Sequence, residues 1–484
     1  MQRRTVVERI GLILATNPFH WVMAKESPSY DLIIVGSGAA ALSSAIAAYD
    51  AGQKKILVLE KEPIIGGSSG MSGGAIAVAG TSLQRSKNIT DSKERFFRDM
   101  MLSGKYTNDE NLVRLLVNNI PIRYEWLVSR GLLPQNLMAA SGMSRPRSHM
   151  FNSGLLIQLL RGELQRRNIE IKTGVRAINL LEGPAGITGV FVSRGKKFTN
   201  LLSKNGVILA SGGFARNQAL LSLLAPNMRA VKVVSGIGSQ GDGLLMALQK
   251  GGYIVPGETI QASFGFTKNP STIRDFTTIY YSGAIILNKE GKRFVNESLS
   301  YKTIGEVSIT QANSSSFILF DENIRRLQMS RRPVDNLLWS PFDKGMRPGY
   351  AVVGKTIFEA ADKAGLNPDS VNTTVLQYNS FVRNHFDPEF GRSSLTSGYG
   401  DLVPIAQSPF YIMPSIAAIM GTYCGLKVDC SCRVLKKNGL PIKGLYAAGE
   451  IMGGVHGMNY ITGTGLGKAL VFGEIAGRSA TEFS

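Results

Sequence analysis

Apolar residues in this chain of 484 residues are grouped in short blocks that end at glycine or at an acidic residue. The first block, residues 31–35, runs into a glycine-rich turn and then into an alanine-rich stretch that ends near Gly52. A second block, residues 55–59, ends at Glu60. Short apolar runs bounded by turn residues are typical of buried strands. The pattern therefore predicts a strand, a tight turn, a helix and a second strand.

The predicted turn contains the small residues that a dinucleotide-binding turn requires. Gly36 permits the turn, Gly38 lets the backbone approach a pyrophosphate, and the small Ala40 and Ala41 let the helix pack closely on the strand. The N–H groups at the start of the helix then face the phosphates. Glu60 follows about 20 residues later, where a carboxylate can accept hydrogen bonds from ribose hydroxyls. In this context the motif indicates a dinucleotide site.

A second loop rich in glycine and serine, residues 61–74, follows this acid directly. An NAD site does not need such a loop, so the loop indicates FAD. With it, the chain resembles the fumarate reductase and 3-ketosteroid dehydrogenase family of flavoproteins, from about residue 31 to the C-terminus. Further segments match the family pattern in the same order, namely 206–215, 241–243, 294–297 and 446–450.

The resemblance implies an α/β fold, in which a Rossmann-like FAD-binding domain with a doubly wound parallel sheet carries an inserted α+β substrate domain. A chain of this length, with 44% apolar residues, exceeds one compact core, and the FAD motifs lie at both ends. We therefore expect the FAD-binding domain at 29–255 and 408–484, the insertion at 256–407 and an N-terminal extension at 1–28. The extension has an apolar run of about six residues, which is short for a signal peptide.

The resemblance also implies which residues contact FAD. Glu60 would hold the adenosine ribose, backbone near Ala177 would meet the adenine, and a helix at residues 466–477 would direct its N-terminus at the flavin. Relatives that bind FAD covalently have a histidine between residues 66 and 74, and this chain has none there. FAD is therefore expected to be non-covalent. The implied contacts are Gly36, Gly38, Ala40, Ala41, Glu60, Lys61, Gly67, Ser68, Ser69, Ser72, Gly73, Gly74, Ala177, Ala210, Ser211, Gly212, Asp242, Gly449, Glu450, Gly465 and Leu466.

The C-terminal segment departs from the pattern of the dicarboxylate reductases. Those enzymes clamp a substrate carboxylate with an arginine, where this chain has Tyr460. A phenol cannot replace a bidentate guanidinium for an anion, but it suits a neutral carbonyl. Tyr460, Thr462 and Gly463 resemble the corresponding segment of ketosteroid Δ4-dehydrogenases. Tyr301 lies four residues after Glu297, where ketosteroid dehydrogenases keep their catalytic base.

This resemblance implies α,β-dehydrogenation of a cyclic, 3-ketosteroid-like ketone and a role in steroid metabolism. Tyr460 and the Gly463 N–H would donate to the carbonyl oxygen, Tyr301 would take a proton, and flavin N5 would take a hydride. Tyrosine has a pKa of about 10 and is a poor base at neutral pH, and Lys302 is the nearest basic residue in the sequence. No haem-attachment motif is present, so an external acceptor such as a quinone or oxygen is expected.

Arg325 carries the main alternative. Its position resembles the one where fumarate reductases keep the arginine that protonates the substrate. Arg325 could equally form an ion pair with Asp321, four residues earlier on a helix. An ene-reductase of an unsaturated acid would need a carboxylate-binding arginine, Arg325 or Arg145. A flavoprotein without catalytic activity is a third interpretation.

Charge and cysteine content bear on the setting of the protein. The net charge of +19 and the pI near 9.8 favour anionic surfaces, although the basic residues are spread along the chain. A solvated basic surface is the simpler interpretation and peripheral membrane contact the alternative, and no nucleic-acid partner is expected. The three cysteines match no zinc pattern, so we expect no metal and a reduced, cytoplasmic setting.

Overall fold

Two hydrophobic cores organise the chain, which the computed structural model describes over residues 27–140, 142–256, 260–396 and 398–481. The first core combines residues 30–262 with the C-terminal part of the chain, and the second is built mainly from residues 264–413. The expected N-terminal extension lies almost wholly outside the described residues. Over the parts of the chain that are described, every helix is too short or too polar to cross a membrane.

A six-stranded sheet runs through the first core and contains both strands expected from the apolar blocks. Leu32–Val35 and Ile56–Leu59 are buried along their whole length and pair in parallel. One edge pair is antiparallel and the remaining neighbouring strands are parallel, so the sheet is mixed and the fold is of the α/β kind. In spatial order its strands are Arg433–Leu435, Pro441–Ala447, Val207–Leu209, Leu32–Val35, Ile56–Leu59 and Glu170–Lys172.

The C-terminal helix, Thr464–Ser479, packs directly on the first helix, Ala39–Asp50. Small residues make this close approach possible. A Cβ added at Gly473 would lie 2.5 Å from the Ala40 carbonyl oxygen, and one added at Gly477 would lie 2.2 Å from that of Ser44. The two ends of the chain thus close the same unit, as the separated motifs predict.

The second core surrounds a sheet whose central strand is Phe410–Ile419. This strand pairs with Ser263–Thr267, Ser316–Asp321 and Val352–Gly354, all from the expected insertion. It begins after residue 407, where the FAD-binding domain is expected to resume. By its pairing, the strand therefore belongs with the inserted residues. The sequence did not show this, because an apolar run alone does not indicate which sheet a strand joins.

The remaining elements complete the layers around the two sheets. The other strands in the second sheet are Lys232–Val233 and Ile285–Leu287. Two smaller sheets contain Ser29–Tyr30, Lys197–Ser203, Gly186–Arg194 and Arg176–Gly183, and Ala75–Ala77, Ser148–Met150 and Asn136–Met138. Further α-helices are Gly67–Met71, Ser82–Ser86, Lys93–Ser103, Glu110–Ser129, Ser153–Arg166, Gln218–Leu224, Asp242–Gln249, Tyr301–Ser308, Glu322–Arg331, Asn336–Asp343, Ile357–Lys363 and Pro368–Asn384.

Candidate active site

A cavity of about 740 Å³ lies between the two cores. Its wall contains the first turn, the loop after Glu60 and the C-terminal segment, together with side chains from the second core. Every residue expected to contact FAD lines this cavity except Ala41. Ala41 is fully buried in the first helix, where a small side chain is needed for packing. The side chains from the second core are Ile273, Phe276, Thr278, Tyr281, Tyr301 and Arg332.

The first turn leaves its backbone open toward the cavity. Gly36 has a φ of +112°, and the helix Ala39–Asp50 begins after Gly38 without a side-chain cap from that residue. The Ala39 N–H donates to the Ser69 hydroxyl at 3.2 Å, which joins the turn to the second glycine-rich loop. The helix N-terminus therefore lies at the cavity wall, where it favours negative charge.

Gly36→Ala is expected to destabilise the protein more than Gly52→Ala. Both glycines have a similar φ, +112° and +110°, so alanine meets similar backbone strain at either position. A Cβ at Gly36 would lie 2.3 Å from the Ala210 carbonyl oxygen, whereas nothing lies within 4 Å of one at Gly52. The clash should lower the free energy of unfolding by a further 1–3 kcal/mol or so, about the usual cost of overpacking. Urea unfolding with FAD-content assays checks this, and equal losses for the two variants would contradict it.

Glu60 is buried and already accepts two hydrogen bonds from the protein. The Ser37 hydroxyl donates to one carboxylate oxygen, and the Glu62 N–H donates to the other at 2.8 Å. Each carboxylate oxygen can accept a further bond, so ribose hydroxyls remain compatible with the site. The adjacent Lys61 forms an ion pair with Asp242 across the cavity wall, and Arg176 also pairs with Asp242.

The second glycine-rich loop contacts a segment that sequence reasoning missed. The Gly236 N–H donates to the Ser68 hydroxyl at 3.1 Å, and residues 234–239 line the cavity. The closely spaced Gly236 and Gly238 were the sequence feature that could have indicated this third glycine-containing loop. At the other end of the loop, a Cβ at Gly74 would lie 1.7 Å from the Phe151 carbonyl oxygen, so this position requires glycine.

The structure brings together the residues expected to act on the substrate. Tyr301, Tyr460, Thr462 and Gly463 all line the cavity, and Thr462 lies close enough to Tyr301 to act on the pKa of its phenol. The Gly465 N–H donates to the Tyr460 hydroxyl oxygen at 3.2 Å. Tyr301 and Tyr460 are far apart in the sequence, and both pack in the second core, so distant parts of the chain supply the substrate-facing groups.

Gly463 precedes the C-terminal helix with a φ of +90°, and the backbone N–H groups of Gly465 and Gly463 both act to lower the pKa of the Tyr460 phenol. Donation from the Gly463 N–H to a substrate carbonyl stays a prediction. The helix N-terminus polarises the phenol. Because the Tyr460 oxygen is the acceptor in that contact, its O–H can donate into the cavity.

Both phenols have raised pKa values. Burial raises the pKa of Tyr301 well above its ordinary value, and the nearby Tyr460 adds to the effect, while Thr462 and Arg332 oppose it. Removal from bulk water raises the pKa of Tyr460, against the backbone N–H groups of Gly465 and Gly463. Both residues are therefore protonated at neutral pH, which suits Tyr460 as a hydrogen-bond donor.

Aromatic rings fix the two tyrosines. Tyr423, which sequence reasoning missed, stacks on Tyr460 with ring centroids 4.9 Å apart and an interplanar angle of 27°. Phe276 contacts Tyr301 edge-on at 5.7 Å. Tyr423 follows the strand Phe410–Ile419 by a few residues, and only the fold shows that it reaches the cavity.

Arg325 is not part of the cavity wall, which corrects its expected catalytic role. Its guanidinium makes two bonds of 2.8 Å to Glu322, pairs with Asp343 and donates to the Trp339 carbonyl oxygen at 2.7 Å. The expected partner Asp321 instead caps the helix by accepting from the Ile324 N–H.

Two other arginines, Arg145 and Arg332, are candidates for binding a substrate carboxylate. Arg145 donates to the Tyr399 hydroxyl and does not line the cavity. Arg332 does line it. The Nη1 atom of Arg332 bonds to Asp335 and to the Phe276 carbonyl oxygen, and Nη2 lies 3.5 Å from where a Gly73 Cβ would be. Arg332 follows the helix Glu322–Arg331 directly, and Arg176, which pairs with Asp242, is a second arginine of the cavity wall.

Arg325→Met is expected to lower the free energy of unfolding by about 3–5 kcal/mol, the usual cost of breaking a buried ion pair. Burial alone would raise the pKa of Glu322, but hydrogen bonds from Arg325, Arg326 and Tyr411 lower it to about 2. The variant leaves that carboxylate short of its main partner. Urea unfolding measures the loss, and rapid-mixing absorbance should show an unchanged rate of flavin reduction. A selective loss of that rate would return Arg325 to the catalytic site.

The described residues fit FAD. The Ser211 hydroxyl is buried at the cavity wall and has no hydrogen-bond partner among the described residues, so it is available to a ligand. A free helix N-terminus, two glycine-rich segments and the Glu60 carboxylate lie along the same wall. These are the groups that a pyrophosphate and a ribose require.

Comparisons with known proteins show the family of the chain. Residues 31–466 match the family model described as FAD binding domain. The chain is 30% identical over 460 residues to "Fumarate reductase (cytochrome)" from Shewanella frigidimarina, covering 94% of this chain and 77% of that protein. It is also similar to the open conformation of a flavocytochrome c3 fumarate reductase, with 26% identity and a TM-score of 0.78, covering 98% of this chain and 81% of that one.

A ketosteroid enzyme shares the fold. The 3-ketosteroid-Δ4-(5α)-dehydrogenase from Rhodococcus jostii RHA1 is 22% identical with a TM-score of 0.75, covering 95% of this chain and 98% of that one. At this identity the likeness concerns the fold alone.

Proposed function

Because the chain belongs to the FAD binding domain family and is an FAD-dependent oxidoreductase of the fumarate reductase group, we propose that it dehydrogenates a neutral cyclic ketone of the 3-ketosteroid kind. The observation that supports this choice is the convergence of Tyr301, Thr462 and Tyr460 on one part of the cavity. Tyr460 occupies the segment in which a carboxylate clamp would need an arginine.

Tyr460 is the carbonyl-binding group in this proposal. Its oxygen accepts from the helix N-terminus, so its O–H proton is directed away from the backbone and can bond to a ketone oxygen. As the α-carbon loses a proton, negative charge grows on that oxygen, and a fixed donor stabilises it. A phenol that stays protonated at neutral pH is suited to this role.

The phenolate form of Tyr301 removes the α-proton in the same step, and the nearby Thr462 favours that form by lowering the pKa of the phenol. FAD, when held by the residues of this cavity, would supply the acceptor for the hydride on the adjacent carbon. The carbon–carbon double bond then forms, and the substrate has lost one proton and one hydride. Phe276 against Tyr301 keeps this part of the cavity apolar, which favours an apolar ring system.

The setting of the reaction is also part of the proposal. No further redox centre is expected in the chain, so electrons would pass to an external acceptor such as a quinone or oxygen. The net charge of +19 supports peripheral contact with an anionic membrane that could store an apolar substrate. A cytoplasmic location and a role in steroid metabolism remain predictions.

A second candidate is reduction of an unsaturated acid, and Arg332 is the observation that favours it. Its Nη2 faces the glycine-rich loop, where it could bind one carboxylate, and Tyr301 could supply the proton. The similarity to fumarate reductases also supports this alternative, because fumarate is an unsaturated acid.

Anaerobic titration of the oxidised protein separates these candidates. A 3-ketosteroid saturated at C4–C5 or C1–C2 is expected to bleach the flavin absorbance. If it does not, and the reduced protein is reoxidised by an unsaturated acid, the ketone proposal is wrong and the acid reductase stands. If neither occurs, the protein is a flavoprotein with neither activity.

A further inference from the structure

A lysine is completely buried directly behind the tyrosines of the cavity. Lys302 follows Tyr301 in the helix Tyr301–Ser308 and has no exposed surface. Its Nζ lies 4.7 Å from the ring centroid of Tyr423 and 5.8 Å from that of Tyr301. Burying an ammonium group is costly, so a lysine in this position calls for a compensating role.

The same helix connects this lysine to the surface. Glu306 lies one turn after Lys302 and is exposed. Gln261 contacts both residues, because its carbonyl oxygen accepts from Lys302 Nζ at 3.1 Å and its side-chain amide donates to Glu306 at 2.8 Å. Gln261 therefore lies between Lys302, behind the tyrosines, and the exposed Glu306, which it contacts through its backbone carbonyl and its side chain respectively.

A gap in that line fits a water molecule. The side-chain oxygen of Gln261 is buried and has no hydrogen-bond partner among the described residues. Buried acceptors of this kind are commonly satisfied by an internal water. A water on this oxygen would be held by the residue that contacts both Lys302 and Glu306.

We propose that Lys302 carries the proton removed by Tyr301 to solvent, an inference that rests on the proposed ketone chemistry. The phenolate of Tyr301, which is the minority form, takes the substrate proton and becomes the phenol of the resting protein. Before the next turnover, the phenol protonates the neutral Lys302 amine through a bridging water, an uphill transfer that regenerates the phenolate. The resulting ammonium passes the proton through the water at Gln261 to the Glu306 carboxylate, which releases it to solvent. No electrons move in these steps.

The charges around Lys302 support this role. Burial lowers the pKa of Lys302 to about 7, while Glu450 and Glu306 oppose the shift. His456 is held neutral by burial and by the charges of Lys468 and Lys302. Lys302 can therefore gain and lose a proton at neutral pH, as a relay group must.

Solvent exchange of a labelled ketone tests the relay without redox turnover. The reduced holoprotein, whose flavin cannot accept hydride, is incubated with a 3-ketosteroid deuterated next to the carbonyl, and mass spectrometry follows loss of the label to water. Lys302→Met and Lys302→Arg are each expected to slow this loss by about 100-fold, within the usual effect of acid–base groups. Glu306→Gln should slow it less, and the exposed Lys292→Met is the control.

The pH dependence adds a readout that a structural role would not change. Lys302 accepts a proton only as the neutral amine, so exchange by the wild type should rise as the pH passes about 7. Lys302→Arg should lack that rise, because arginine stays charged. Melting temperature and FAD content show whether each variant is folded.

The outcomes separate the relay from the proposed function. If the wild type exchanges the label and Lys302→Arg and Glu306→Gln exchange it equally fast, the relay is wrong and the ketone chemistry stands. If the wild type exchanges no label, the ketone chemistry is wrong and the relay falls with it.

Discussion

Tyr460→Phe is expected to leave FAD bound and to slow flavin reduction by the ketone about 100- to 1,000-fold, the usual cost of losing one oxyanion donor. The variant keeps the ring that stacks on Tyr423 and removes the hydroxyl that the helix N-terminus polarises. Because the enolate oxygen loses its donor, the loss should appear in the rate of reduction more than in substrate binding. Anaerobic rapid-mixing absorbance measures that rate.

Tyr446→Phe is the matched control for this variant. Tyr446 lies in the same C-terminal segment, and its hydroxyl makes a long bond of 3.4 Å to the Ser479 carbonyl oxygen outside the cavity wall. It should keep the wild-type rate. If Tyr460→Phe keeps that rate as well, the segment forms only a wall for the flavin.

Tyr301→Phe should reduce the same rate by about 100- to 10,000-fold, the usual contribution of a positioned acid–base group. The pKa of Tyr301 is raised well above its ordinary value by burial, so only a small fraction is phenolate at neutral pH. The wild-type rate should therefore still be increasing at pH about 10, the ordinary pKa of tyrosine.

The variant should lose this alkaline increase together with the rate. The reverse reaction, reduction of an enone, uses the protonated phenol and should show no such increase. An alkaline increase that survives in Tyr301→Phe would assign the base to another residue.

Local motifs predicted residues that line the cavity, and their contact with FAD stays a prediction. Gly36 and Glu60 could be identified because strand, turn and acid follow each other in the sequence, and their geometry depends on a few neighbouring residues. The start of the C-terminal helix was also close to its observed position at Thr464. Short-range rules of this kind need no knowledge of the remaining fold.

Residues whose role depends on tertiary packing were harder to identify. Arg325 lies inside the helix Glu322–Arg331 and Arg332 follows that helix directly, and only packing decides that the second one reaches the cavity. The strand Phe410–Ile419 has an apolar pattern that either sheet could accommodate. The positions of Tyr423 and Lys302 beside the cavity follow from tertiary contacts, Tyr423 with the ring of Tyr460 and Lys302 with the ring of Tyr423.

A competition experiment tests the central claim that this site recognises a neutral carbonyl. The anaerobically reduced protein is mixed with equal concentrations of a 4-ene-3-ketosteroid and fumarate, and mass spectrometry identifies which compound gains two hydrogens. With Tyr460 in the clamp position, the steroid should be reduced and fumarate should remain unchanged. Succinate as the main product would contradict the account.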